Sequence, residues 1–143
     1  MIFQLCYLST ASRDMQREDL VDLLTTSRHK NTALGITGLL LYSGDQFIQL
    51  LEGEESVVRA LYAQIARDER HHDVALAFEE HVAERQCPDW SMGFQALPDS
   101  EWLEFPSPDG SAQGLQPMME AMGRAKAILH RVRERGLDPA RAL

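Results

Sequence analysis

The segment GITGLLLYSGDQFIQLLEG, residues 35–53, constrains the fold more than any other stretch. Ser43, Gly44 and Asp45 form a turn signal between two runs that favour extended backbone, so residues 35–43 and 46–52 read as a β-hairpin. In the second run Phe47, Gln49 and Leu51 fall on one face, with Ile48 and Leu50 on the other. A strand that is apolar on both faces must be covered on both. Gln49 is the exception on its face. An amide has two donor hydrogens and an acceptor oxygen, and leaving such groups unpaired in an apolar site costs about 1–3 kcal/mol. A partner for Gln49 is therefore expected.

The flanking segments build a sheet around this hairpin. Residues 2–8, IFQLCYL, read as a first strand with Phe3, Leu5 and Tyr7 on one face. After STASRD, Asp14 is the expected N-cap of a helix in which Leu20, Leu23, Leu24 and Ser27 recur at helical spacing, with Asn31 four residues further on. A second helix is expected over residues 54–68, with Val58, Leu61 and Ile65 inward. Residues 75–84 and 90–96 supply two more strands around a turn at Cys87, Pro88 and Asp89. This order predicts an α+β fold: a ferredoxin-like βαββαβ sheet with an added fifth strand, both helices on one face because crossovers are right-handed.

Residues 97–117 hold four prolines and two glycines and read as a linker. Beyond it, Met118, Met122, Ala125, Leu129 and Val132 form the stripe of an amphipathic helix that stops at Gly136. The expected organisation is one folded domain over 1–97 and a linker with a C-terminal helical extension over 98–143. The stripe at 118–132 is expected to be buried on the sheet face opposite the two helices or against another copy of the chain, which makes a homo-oligomer the expected assembly.

Charge narrows the function classes. A formal net charge of −8 and a pI near 5 provide no basic stripe for nucleic acid or an anionic membrane. No apolar run approaches the roughly 20 residues that span a bilayer. MIFQLCYLST lacks a signal-peptide pattern and the chain has two cysteines, so a cytoplasmic protein with reduced thiols is expected. Enzymatic signatures are weak: GITG and LLEG are too short for a phosphate loop, and His71, His72 and His81 lack regular zinc spacing. The chain is read as a non-enzyme.

In a ferredoxin-like sheet strands one and three are central neighbours, so Tyr7 and Gln49 are expected to touch. Trp90 and Met92 on strand five add two large side chains to the same neighbourhood. The first helix ends with Arg28, His29 and Lys30 and the second with Arg67, Arg70, His71 and His72, so two basic ends would flank one cleft. Cations also stabilise helix C-termini without any ligand. A core Tyr–Gln pair and a ligand site both fit these residues.

CYLSTAS, SRHKN before GITGLLLYS, DQFIQLLEG, RDERHH and PDWSM, in this order and spacing, resemble the BLUF family of blue-light sensors that use FAD. The resemblance covers roughly residues 1–97. It implies an FAD isoalloxazine ring between the two helices, with Asn31 on its pyrimidine edge and Ser27, Lys30, Arg70 and His71 lining the pocket. Lys30 is the weakest of these assignments, because the family varies there. Tyr7 would give an electron and a coupled proton to the excited flavin. Gln49, between the phenol and flavin N5, would rotate or tautomerise and so rewire the bonds to N5 and the C4 carbonyl, shifting absorption to the red. Trp90 and Met92 exchange places near Gln49 among members, and either is a candidate here. With no recognisable effector segment, output through a separate protein is expected. The alternative is a ferredoxin-like regulatory module that binds a non-flavin metabolite in the same cleft; an acylphosphatase-like enzyme ranks third, lacking a glycine-rich anion loop that carries an arginine after strand one.

Overall fold

The computed structural model describes residues 1–43, 45–88, 90–96 and 127. The elements run β1 (Ile2–Ala11), α1 (Arg17–Leu34), β2 (Thr37–Ser43), β3 (Gln46–Gly53), α2 (Glu55–Ala66), β4 (His71–Val82) and β5 (Gly93–Ala96). They form one sheet in the order β4-β1-β3-β2-β5. The first four strands are antiparallel neighbours, as the ferredoxin-like expectation requires, and β5 joins the free edge of β2 in parallel. The linker and the stripe at 118–132 lie outside the described residues apart from Ala127, which is helical.

Alternation along the strands divides the core into two layers. Phe3, Leu5, Tyr7, Leu40, Phe47 and Leu51 face Leu20 and Leu24 of α1 and Val58 and Leu61 of α2, so both helices cover this front face. Cys6, Leu8, Leu39, Leu41, Ile48 and Leu50 form the back layer with Ala77, Phe78 and Cys87. Every residue of β3 is buried, in agreement with the two-sided apolar pattern.

Several boundaries differ from those expected. β1 continues past residue 8 because Ser9 and Thr10 pair with Phe47 and Gln46, while Thr10 and Ala11 pair with His72 and His71. Ladder bonds on both sides outweigh the turn preference of short polar residues. α1 starts after Gln16 rather than Asp14, with the Asp19 carboxylate accepting from the Gln16 N–H at 3.0 Å. It also runs one turn beyond Lys30, and Gly35, at φ 69°, stops it in the left-handed conformation that glycine adopts without penalty. Arg28, His29 and Lys30 are therefore not terminal. α2 ends at Ala66, so Arg70 lies in a turn and His71 and His72 open β4. Trp90 and Met92 precede β5 instead of lying on it. The Trp90 ring occupies the space above Gly93, where an added Cβ would come within 3.0 Å of it.

Candidate functional site

Between α1 and α2 a cleft opens onto the front of the sheet. Its volume is about 890 Å³ including the open mouth, and Leu23, Leu40, Phe47, Leu61 and Ile65 supply apolar walls. Tyr7 and Gln49 form the floor, while Ser27, Lys30, Asn31, Asp68, Arg70 and His71 also line it. An apolar slot with a few convergent polar groups suits a planar ring with a hydrogen-bonding edge. Apart from Trp90 and Met92, every expected site residue lines this one cleft.

The floor is set by strand register. Tyr7 on β1 and Gln49 on β3 are direct cross-strand partners. The phenol donates a hydrogen bond to Gln49 Oε1. Gln49 Nε2 donates to Met92 Sδ at 3.4 Å, which gives the amide a weak sulfur acceptor and leaves its second hydrogen to the cleft. Burial raises the pKa of Tyr7, reinforced by Cys6, Tyr62 and Asp68, so the phenol stays protonated and keeps the hydrogen it donates to the amide oxygen. Tyr62 and His71 frame the Tyr7 ring, with centroids at 5.5 and 6.0 Å.

Met92, 1% exposed, is the large side chain beside Gln49. Trp90 packs instead against the back layer. The two are separated because the chain crosses the β2 edge between them: the Gly38 N–H donates to the Trp90 carbonyl at 2.9 Å, and two residues later Met92 is in the front core.

Asn31 is almost fully buried, and its Nδ2 donates to the Ser91 carbonyl at 2.8 Å. Its second amide hydrogen and its oxygen remain for a ligand edge. Lys30 Nζ meets Gln64 Oε1 at 2.5 Å and joins the helices beside the cleft. Arg28 turns to the Met92 carbonyl at 2.8 Å. The second basic group is also dispersed. Arg70 chelates Asp68 at 2.5–3.0 Å, and this contact holds the Asp68 carboxyl down at about 2. His72 pairs with Asp73 outside the cleft.

His71 already has partners for both ring nitrogens. Nε2 lies 2.6 Å from the Ile65 carbonyl, which can only accept, so Nε2 carries a hydrogen. Nδ1 lies 2.7 Å from Ser9 Oγ. Its ring thus ties β4 to the end of α2 and to β1, and offers the cleft its surface rather than a free nitrogen.

Ser9, Gln64 and Asp68 were not singled out from the sequence. Ser9 was legible in principle, because alternation from Tyr7 puts it on the same face; Gln64 and Asp68 gain meaning only once α2 packs beside α1. Among the described residues no group of three or more His, Cys, Asp or Glu could hold a metal ion, and no helix is long and apolar enough to cross a membrane.

Comparison with known proteins gives this cleft its context. The chain is 39% identical over 89 residues to the photoactivated adenylate cyclase subunit beta of Euglena longa, a match covering 62% of this chain and 10% of that protein. It is 32% identical over 74 residues to the blue light- and temperature-regulated antirepressor BluF of Escherichia coli (strain K12), covering 52% and 18%. The chain thus spans a small part of the length of these relatives. Among solved structures, the ground state of BlsA matches with a TM-score of 0.74 at 28% identity over 93% of this chain and 88% of that one. The dark state of the BLUF protein BlrB matches with a TM-score of 0.63 at 32% identity over 90% and 97%. Residues 2–93 match the family described as BLUF, sensors of blue light using FAD. With the cleft, its floor of Tyr7 and Gln49 and this match over most of its length, the chain belongs to the BLUF family of FAD-using blue-light sensors.

Proposed function

We propose that this chain senses blue light through the hydrogen-bond network of Tyr7 and Gln49, and that Gln49 is its moving part. One observation carries the reading: the Gln49 amide, at the floor of an apolar cleft, is held by one phenol and one weak sulfur acceptor, with a hydrogen to spare. Two arrangements of such an amide can lie close in energy, which is the requirement for a switch.

FAD, when bound, supplies the blue absorption and, once excited, an acceptor for one electron. The chain's own groups do the rest. Asn31 holds the ring edge with its remaining amide functions, Ser27 and Lys30 contribute from α1, and Arg70 lies at the mouth, where an anionic part of the ligand competes with Asp68. His71 packs against the ligand without hydrogen-bonding it. Tyr7, kept protonated by burial, gives up its electron together with its phenolic proton, for which Gln49 Oε1 is the bonded acceptor. Gln49 then turns or tautomerises, and the donors and acceptors it presents to the cleft change. Met92, as the amide's second partner, senses the change; Trp90, on the back layer, acts through the connection it shares with Met92.

We further propose a division at residue 97, with residues 98–143 as an extension, a homo-oligomeric assembly, a cytoplasmic location and output through a separate protein rather than through catalysis in this segment. The two relatives support opposite output routes: one is an adenylate cyclase subunit, the other an antirepressor. The purified protein tests the reading. It is expected to be yellow, to shift its flavin absorption to the red under blue light and to return in the dark. A colourless protein, or a yellow one with no shift, contradicts it.

A further inference from the structure

Three residues after Gln49 on β3, Glu52 is a carboxylate with no exposure at all. It lies in a row across three strands, between Gln4 of β1 and Thr37 of β2. Its Oε2 accepts from Gln4 Nε2 at 3.1 Å and from the Gln86 N–H at 2.7 Å. Oε1 accepts from Thr37 Oγ1 at 3.0 Å and from the Cys87 N–H at 2.6 Å. Two donors come from the sheet and two from the main chain that connects β4 to β5. Arg85 adds to the same junction by donating to Thr37 Oγ1 at 2.9 Å, the Glu52 carbonyl at 3.2 Å and the Gly35 carbonyl that closes α1 at 2.8 Å.

The chain fixed at Cys87 leads directly to the switch. The Trp90 N–H donates back to the Cys87 carbonyl at 3.2 Å, forming a turn, and two residues later Met92 Sδ accepts from Gln49 Nε2. The connection therefore has a back-face anchor at Glu52 and a front-face contact at Gln49, both borne by β3. Hydrogen bonds to a charged acceptor are stronger than neutral ones, so of the two ends the carboxylate holds harder than the sulfur.

We propose that Glu52 is a positioning residue of the photoswitch: by clamping the Gln86 and Cys87 amides it fixes where Met92 stands against Gln49, and so sets the barrier to the return of the Gln49 amide. The inference rests on the light-switch reading above.

Flavin-loaded full-length protein with Glu52→Gln tests it. The substitution keeps size and shape but replaces an oxygen that accepts two hydrogens with an NH₂ group that accepts none. Hydrogen exchange in the dark is expected to rise about tenfold or more at whichever of the Gln86 and Cys87 amides faces the new NH₂ group. The size of the red shift should stay the same while dark recovery accelerates about threefold or more. Ile48→Val, which trims the back layer that Cys87 shares but removes none of these hydrogen bonds, controls for lost packing and stability and is expected to leave recovery unchanged. If the wild type shows no red shift, the light-switch reading fails and the inference with it. If the wild type shifts but E52Q recovers at the wild-type or I48V rate, the inference alone is overturned, even where exchange rises. Should E52Q not fold, Thr37→Val, which removes one donor to Oε1, is expected to speed recovery about twofold, and an unchanged rate in T37V overturns the proposal.

Discussion

Gln49 and Glu52 are buried polar residues on the same strand, three positions apart, and their surroundings differ in kind. Gln49 faces the front layer with one phenol donor and one thioether acceptor. Glu52 faces the back with four donors, two to each oxygen. A partly satisfied amide beside a cleft can exchange one partner for another at little cost. A charge whose lone pairs are all engaged can lose any of them only at a cost of about 1.5–3 kcal/mol. One strand thus carries a group able to move and a group that resists movement, and the connection ending at Met92 is held by both.

The largest expected effect comes from removing the phenol proposed as the electron donor. Tyr7→Phe keeps the ring but removes both the hydroxyl and the easily oxidised phenol. It should bind flavin and lose the red-shifted product entirely in light-minus-dark spectra; a normal shift would break the contrast at its mobile end. Next in size is the fixed end. Glu52→Leu strands four donors in a dry site and should cost about 3 kcal/mol or more in unfolding free energy, read by urea titration of the dark protein. Gln49→Leu should cost clearly less, because removing a weakly satisfied amide from an otherwise apolar layer strands only the Tyr7 hydroxyl. Equal losses in the two variants would show that the two sites are not different in kind.

How far this contrast was legible beforehand follows from what each feature depends on. The hairpin, the two-sided burial of β3 and the Tyr7–Gln49 contact follow from period-two alternation and the strand order of a ferredoxin-like sheet, and all three are observed. Glu52 carried no such signal. Its position in LLEG is that of an ordinary strand-end acid, and what buries it are amides at residues 86 and 87, some 34 positions away. His71 was legible as a cleft residue but not as the start of a strand, because its pairing with Ala11 depends on β1 extending through three small polar or apolar residues. Which of Trp90 and Met92 meets Gln49 depends on how the chain crosses an edge, and alternation says nothing about residues that are not in a strand.

Two smaller effects sharpen the comparison. Met92→Leu preserves apolar volume but deletes the sulfur acceptor at 3.4 Å, so Gln49 Nε2 loses a partner. Because that contact is weak, the red shift should persist and dark recovery should change only about two- to fivefold, consistent with a contribution below about 1 kcal/mol. The smallest effect concerns Asp68 at the mouth of the cleft. Its carboxyl titrates at about 2 through its contact with Arg70, below the unfolded value of about 4. A depressed carboxyl contributes stability that is complete above the unfolded pKa and is lost as pH falls through the folded one. Asp68→Asn should therefore flatten the fall in stability between about pH 4 and pH 2, by well under 1 kcal/mol because the pair is partly exposed and screened. Thermal melts across that range read it.

The central claim, that the Gln49 amide is the element light rearranges, is tested most directly by the light-minus-dark absorption spectrum of flavin-loaded Gln49→Leu beside the wild type. Leucine fills the site but has nothing to donate or accept. The wild type should give a red-shifted product that decays in the dark, and Q49L should stay yellow, start from a slightly altered dark spectrum and give no red-shifted product. A Q49L protein that photocycles with the wild-type shift would contradict the account and leave Gln49 a structural residue of the core.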